Sequence, residues 1–187
     1  MTAPLDIIIM AAGKGTRMKS RHPKVLQKLA GRPLLGHVLA TAAQLKARSA
    51  VVITGHGATE VEAAIAGAAG ANGTFDLKFV RQEPQLGTGH AVQQAVPALR
   101  GDGMAIVLSG DVPLTQADTL QALVDAAGSD KMALLAVTMP DPTGYGRIVR
   151  NSAGTVERIV EQKDANEAER AITEVYSGIM AVPAQHL

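Results

Sequence analysis

The sequence contains neither cysteine nor tryptophan. Disulfides, thiolate metal sites and cysteine nucleophiles are therefore excluded. Its only aromatic residues are Phe75, Phe79, Tyr145 and Tyr176, too few to stack the bases of a single strand. Its longest apolar runs, such as Ile7–Ala12 and Met132–Val137, fall far short of the roughly 20 residues a membrane helix needs. No basic residue precedes the first of these runs, so the N-terminus does not read as a secretory signal. An excess of one charge is also missing. With 18 Lys and Arg against 17 Asp and Glu, the formal charge is +1, unlike a protein held to nucleic acid by bulk charge. The expectation is a cytoplasmic protein with no nucleic acid and no membrane as partner.

What is present is a globular composition, 47% hydrophobic and 19% charged over 187 residues, which suits one domain. The charge is unevenly placed. Lys14, Arg17, Lys19, Arg21, Lys24, Lys28 and Arg32 follow one another with no acid between them. Such a stretch in an otherwise acidic chain points to a polyanion bound near the N-terminus; its plain alternative is a solvated basic loop.

The hydrophobic pattern alternates between strand and helix. Buried strands are expected at Leu5–Met10 and Met104–Ser109, and further strands at Ala50–Thr54, Leu77–Gln82 and Met132–Met139. Helices are expected at Pro33–Ala47, Thr59–Ala66 closed by Gly67, Gly89–Leu99 and Thr115–Ala127, the last capped by Thr115 and ended by Gly128. This order predicts an α/β, Rossmann-like fold with a mostly parallel sheet and helices on both faces. After Pro140 the pattern changes to a small β-hairpin extension, Gly146–Arg150 and Thr155–Val160 around Asn-Ser-Ala-Gly. A helix at Asp164–Ala171 and a last strand at Thr173–Val182 follow. With no helix after it, that strand reads as exposed, a candidate for self-association, and the domain as incomplete at its C-terminus.

Three loops carry the chemistry, each at the carboxyl end of a predicted parallel strand. The first is Ala11-Ala12-Gly13-Lys14-Gly15-Thr16-Arg17-Met18, whose glycines let backbone N–H groups face phosphate oxygens. Met18 rules out a Rossmann fingerprint, and no Gly-Lys-Ser/Thr makes it a P-loop. Pro23 stiffens the chain before Lys24. The second loop, Gln82 to His90, offers an amide able to read a pyrimidine edge. It also holds Gly87 and Gly89 around Thr88, a candidate helix cap. The third places Asp111 beside Gly110, where a carboxylate suits Mg²⁺ or, more plainly, serves a turn. Open α/β sheets bind ligands along this edge, so the three loops together describe a place for a nucleoside triphosphate and its metal. Farther on, Gly146 allows close approach of backbone to a ligand, and Glu161 can accept hydrogen bonds from sugar hydroxyls. The five histidines lack metal-ligand spacing, and Ser109 lacks the setting of a hydrolase nucleophile.

At these residues the chain resembles the N-terminal uridylyltransferase (N-acetylglucosamine-1-phosphate uridyltransferase) domain of the bifunctional GlmU family. The stretches concerned are Met10–Met18 with Pro23–Leu26, Gln82 with Leu86–Ala91, Gly110–Leu114, and Tyr145–Ile148 with Glu161–Ala165. The resemblance implies the nucleotide-diphospho-sugar transferase fold, and UTP plus N-acetylglucosamine 1-phosphate giving UDP-N-acetylglucosamine and pyrophosphate for peptidoglycan and lipopolysaccharide precursors. It implies that Ala11, Ala12, Gly13, Lys24, Gln82, Gly87, Thr88 and Asp111 bind the nucleotide. Asp111 would ligate Mg²⁺, Arg17 and Lys24 would act in catalysis, and Gly146, Glu161 and the residue at Tyr176 would hold the sugar. The family has Tyr where this chain has Ser109 and Asn where it has Tyr176. The family's second metal-ligating Asn and its hexapeptide-repeat acetyltransferase domain, through which the whole protein is expected to form a homo-oligomer, a trimer, fall beyond residue 187. The alternatives are a related enzyme with another acceptor, like a molybdopterin guanylyltransferase, and a non-catalytic nucleotide-binding domain.

Overall fold

The structure is a computed structural model that describes residues 3–15, 18, 20, 22–69 and 75–187, without the side chains of 67–69. Its strands are β1 (Leu5–Met10), β2 (Lys28–Leu29), β3 (Arg32–Pro33), β4 (Ser49–Thr54), β5 (Asp76–Arg81), β6 (Met104–Ser109), β7 (Ala133–Thr138), β8 (Arg147–Arg150), β9 (Val156–Val160) and β10 (Glu174–Pro183). Its helices are α1 (Leu34–Gln44), α2 (Ala58–Ala69), α3 (Thr88–Ala95), α4 (Ala117–Ala127) and α5 (Glu167–Arg170). The chain divides into two compact units, residues 1–133 with 180–187, and residues 134–179.

In the first unit β5, β4, β1 and β6 lie side by side and parallel. Residues Met180–Pro183 of β10 join β6 antiparallel. Ile7, Ile8 and Ile9 are fully buried, because a central parallel strand is covered on both faces and so reads as an unbroken apolar run. Alternation divides them. Ile8 packs with Val51, Ile53, Val107 and α3 residues Ala91, Val92 and Ala95. Ile7 and Ile9 turn to the opposite face, where α2 lies on β4 and α1 meets α2 and α4. Helices thus cover both faces, as the pattern predicts. Burying each such side chain contributes about 1.5–3 kcal/mol.

One polar knot pins the N-terminal ends of these strands. Asp6, fully buried, accepts from Arg48 Nε at 2.9 Å, Arg48 Nη2 at 2.7 Å and Ser49 Oγ at 2.6 Å. Arg48 also reaches the Asp102 carbonyl and carboxylate. Burial opposes the charge on Asp6, but hydrogen bonds from Arg48 and Ser49 outweigh it and hold the carboxyl below its usual range.

In the second unit β8 and β9 form the expected antiparallel hairpin, turned at Asn151–Thr155. Residues 174–179 of β10 lie beside β8 through Val175 and Arg147. Four readings need correction. Gln116, not Thr115, occupies the N-cap of α4. The expected helix at 164–171 shrinks to α5, begun by a capping box in which Asn166 and Glu169 exchange 2.9 Å bonds. Gly67 does not stop α2, which runs to Ala69. The last strand is not exposed, since its end pairs with β6 and Ala181–Ala184 are buried.

Candidate active site

The three chemical loops meet at the carboxyl edge of the parallel strands in the first unit. Backbone bonds carry the ladder past the strand ends and tie the loops together. Ala11 N donates to Ile53 O at 2.8 Å, Gln82 N to Thr54 O at 2.8 Å, and Gly110 N to Met10 O at 2.9 Å. Between them opens a cavity of about 570 Å³ lined by Ala11, Ala12, Gly13, Gly15, Lys24, Gln82, Gly87, Thr88 and Asp111, among others. This volume falls within the range of small-molecule sites. All the nucleotide-binding residues expected from the sequence line it; Arg17, expected to act in catalysis, lies outside the described residues.

Glycines in and beside the cavity are needed for different reasons. Gly15 has φ +58°, and a Cβ there would come within 2.8 Å of Lys24 Cβ. The turn therefore allows Lys24 to sit against the loop. A Cβ on Gly13 would meet none of the described residues within 4 Å, and Gly13 lines the cavity. Lys24 opens a short 3₁₀ turn, Lys24–Leu26, after Pro23. Its ammonium contacts the Asp111 carboxylate, with both side chains partly exposed. Among the described residues that cation, and not a set of backbone N–H groups, is what Asp111 meets, so the plain turn reading does not hold. The expected cap is also corrected. Gly87, at φ 101°, is the N-cap of α3, with no side-chain capping bond there; Thr88 is among the residues lining the cavity.

Gln82 is almost fully buried, at 5% exposure. Its Nε2 lies 2.8 Å from Gly87 O and 3.2 Å from His90 Nδ1. Gln85, which the sequence reading passed over, donates from Nε2 to Ala12 O at 2.7 Å. Gly55 was missed as well. A Cβ on it would meet Gln85 Nε2 at 2.6 Å, Ala12 Cβ at 2.9 Å and Ala12 O at 3.1 Å. Gly57, at φ +68°, packs as closely on Pro23. The loop after β4 is thus a floor for both the glycine turn and the Lys24 turn. A Gly-x-Gly at a fourth strand end of the same edge was the available signal.

In the second unit the expected sugar residues gather around Gly146, which is buried. A Cβ there would stand 3.0 Å from Ile159 Cγ2 and 3.6 Å from Glu161 Oε1. Tyr176 N donates to Gly146 O at 2.9 Å, and burial pushes the Tyr176 phenol up. Beneath this turn Arg147 is 1% exposed. Its guanidinium donates to Tyr145 O and to Gln162 Oε1, the latter at 2.6 Å. Its Nε has no partner among the described residues.

A cavity where glycine-rich and acidic loops meet at the carboxyl edge of a parallel sheet belongs to an open α/β protein with its ligand site in the usual place. The sequence carries the assignment further: residues 7–177 match the MobA-like NTP transferase domain, and the chain belongs to that family. Over all 187 residues it is 79% identical to the bifunctional protein GlmU of Acidovorax sp. (strain JS42), covering 39% of that protein. To the bifunctional protein GlmU of Paracidovorax citrulli (strain AAC00-1) it is 74% identical over 180 residues, 96% of this chain and 37% of the relative. The chain thus spans about two fifths of the length of these curated relatives. The resemblance read from the motifs is borne out. A UDP-glucose pyrophosphorylase complexed with UDP-glucose shares the fold, with a TM-score of 0.74 and 16% identity over 96% of this chain and 76% of that one. Among the described residues no helix is long and apolar enough to cross a membrane.

Proposed function

We propose that this chain carries the nucleotidyl-transfer chemistry that turns UTP and N-acetylglucosamine 1-phosphate into UDP-N-acetylglucosamine and pyrophosphate, supplying cell-envelope precursors. The observation that carries this reading is the cavity on which Gly13, Gln82 and Asp111 converge, in a chain 79% identical to a bifunctional protein GlmU. In this reading the backbone of Ala11, Ala12 and Gly13 follows the triphosphate. Gln82, Gly87 and Thr88 take the uracil. Lys24 and Arg17 offset phosphate charge. Gly146, Glu161 and Tyr176 hold the amino sugar.

A divalent cation fits the donor set. Asp111 offers one partly exposed carboxylate on the cavity wall. Among the described residues no group of three or more acidic or imidazole side chains could cage an ion. Mg²⁺ suits such a site, since it takes one or two carboxylates and completes its shell with phosphate and water. When bound at Asp111 it would neutralise charge on the triphosphate. Lys24 then exchanges Asp111 for phosphate oxygens. A phosphate oxygen of the sugar phosphate attacks the α-phosphorus in line, the α–β bridge breaks, and pyrophosphate leaves. That oxygen is already ionised, so no general base is required. The residues contribute position and fixed charge.

The test is pyrophosphate release by the purified protein, with UTP, CTP and GTP each offered N-acetylglucosamine 1-phosphate or glucose 1-phosphate. Turnover confined to UTP with the acetylated sugar, and lost with chelator, is expected. Equal turnover with CTP or GTP overturns the reading.

A further inference from the structure

Gln82, which lines the cavity, is joined to His90 and Gln94 in a polar relay of three side chains, of which only the first belongs to the proposed nucleotide site. Gln82 Nε2 is 2.8 Å from the Gly87 carbonyl and 3.2 Å from His90 Nδ1. A carbonyl can only accept, so the nitrogen end of the Gln82 amide is fixed at that position. Its second N–H points at His90 Nδ1, which must therefore be an unprotonated acceptor. A neutral imidazole carries one proton, and this arrangement assigns it to Nε2. Gln94 is placed with its Nε2 3.2 Å from that Nε2, two donors face to face. An amide reverses its ends by a half-turn, and Gln94 then accepts with its oxygen. Both N–H groups of Gln82 are thereby used on the protein side. Its Oε1 has no partner among the described residues, yet among their sealed and unsatisfied side-chain atoms only Arg147 Nε appears. Oε1 is thus left as the amide atom not engaged by the described residues, on a residue that lines the cavity.

We propose that His90, backed by Gln94, is a positioning residue for base selection: by accepting from the Gln82 amide it holds Oε1 toward the cavity as a fixed hydrogen-bond acceptor. This rests on the reading of the cavity as a uridine-nucleotide site. An imide N3–H, as in uracil, donates to that oxygen. The N3 of cytosine bears a lone pair and is repelled by it. A Gln82 held only by Gly87 would leave one buried N–H unpaired, and the amide would be drawn round to seek a partner in the cavity. Discrimination in a polar site depends on groups that cannot re-pair with the wrong ligand, and His90 supplies that constraint.

The test is titration of the 187-residue chain with UTP and with CTP in the presence of Mg²⁺, for the wild type and for His90→Leu, His90→Asn and Gln94→Leu. The wild type is expected to prefer UTP by about thirtyfold or more, His90→Leu by about threefold or less, roughly a tenfold change from one lost constraint. The drop should come from weaker UTP binding with CTP unchanged or improved. His90→Asn, whose Oδ1 can accept where Nδ1 did, should restore most of the preference. Gln94→Leu should lower it by a smaller factor while His90 stays in place. A role in packing alone would weaken both nucleotides together and leave their ratio constant. That result, or an undiminished ratio in both leucine variants, overturns the assignment of His90 and spares the proposed function. A wild-type chain with no preference for UTP overturns the proposed function itself.

Discussion

Replacing Gly55 with alanine tests whether the loop after β4 is the floor of the cavity. Gly55 does not need a left-handed backbone, so the effect of Gly55→Ala is one of space. The new methyl would stand 2.6 Å from Gln85 Nε2, 2.9 Å from Ala12 Cβ and 3.1 Å from Ala12 O. The Gln85 amide can swing away, but only by giving up its 2.7 Å bond to Ala12 O, about 1 kcal/mol. Ala12 cannot move without its backbone, which Ala11 N anchors to Ile53 O; overpacking of this kind costs about 1–3 kcal/mol. The expected destabilisation is thus about 2–4 kcal/mol, a fall in melting temperature of roughly 5–15 °C for a chain of this size. Because the strain falls on Ala12, UTP binding should also weaken, by about tenfold or more. Gly13→Ala is the control. Its methyl meets none of the described residues within 4 Å, so the melting temperature should hold while binding falls. The assays are thermal melting by circular dichroism and UTP titration. If Gly55→Ala melts and binds like the wild type, the close approach at Ala12 is not a constraint and the reasoning fails.

Two further outcomes follow from the charge pairs. The Asp6 carboxyl is held below its ordinary value, so its contribution to stability is complete above about pH 4 and is lost as the pH falls through the depressed value. Asp6→Asn should cost about 3 kcal/mol at pH 7, since it leaves Arg48 short of its buried partner. It should also flatten the loss of stability below pH 4, and melting curves at pH 7 and pH 3 that shift in parallel for the two proteins would refute the assignment. Lys24→Met removes a charge proposed to act on phosphate, and should weaken UTP binding by about ten- to a hundredfold and reduce its dependence on salt. An unchanged affinity, or an unchanged salt slope, would place Lys24 outside the phosphate site.

The fold was legible because its central strands are buried on both faces. Leu5–Met10 and Met104–Ser109 appear in the structure with the bounds expected from their apolar runs. Helix starts were harder. Thr88 and Thr115 look like caps, yet Gly87 and Gln116 occupy those positions, because where a helix begins depends on where the preceding strand releases the chain. The small hairpin β2–β3 escaped notice, since two-residue strands have no period to read. In the site, loops marked by Gly, Lys, Gln and Asp could be found from residue chemistry alone. Gly55 was marked only by its Gly-x-Gly at a strand end and Gln85 by nothing, because their part is to touch Ala12, 43 and 73 positions distant (from 55 and 85 to 12), and proximity of that sort exists only once the sheet has formed.

The contact between Lys24 and Asp111 shows why cation and nucleotide should act together in this cavity. Each side chain meets its opposite charge in the other, and the pair is partly open to water, where such a contact is worth at most about 1 kcal/mol. It is therefore easily exchanged. A divalent ion alone would displace Lys24 and leave its ammonium without an anion; a triphosphate alone would draw Lys24 away and leave Asp111 facing phosphate charge. When both arrive, Lys24 turns to phosphate and Asp111 to the cation, and neither charge is left bare. The affinity for UTP should consequently rise with Mg²⁺, and the affinity for Mg²⁺ should rise by the same factor with UTP, as linkage requires. Asp111→Asn should abolish most of that coupling while leaving metal-free nucleotide binding intact or stronger, because the repelling carboxylate is gone.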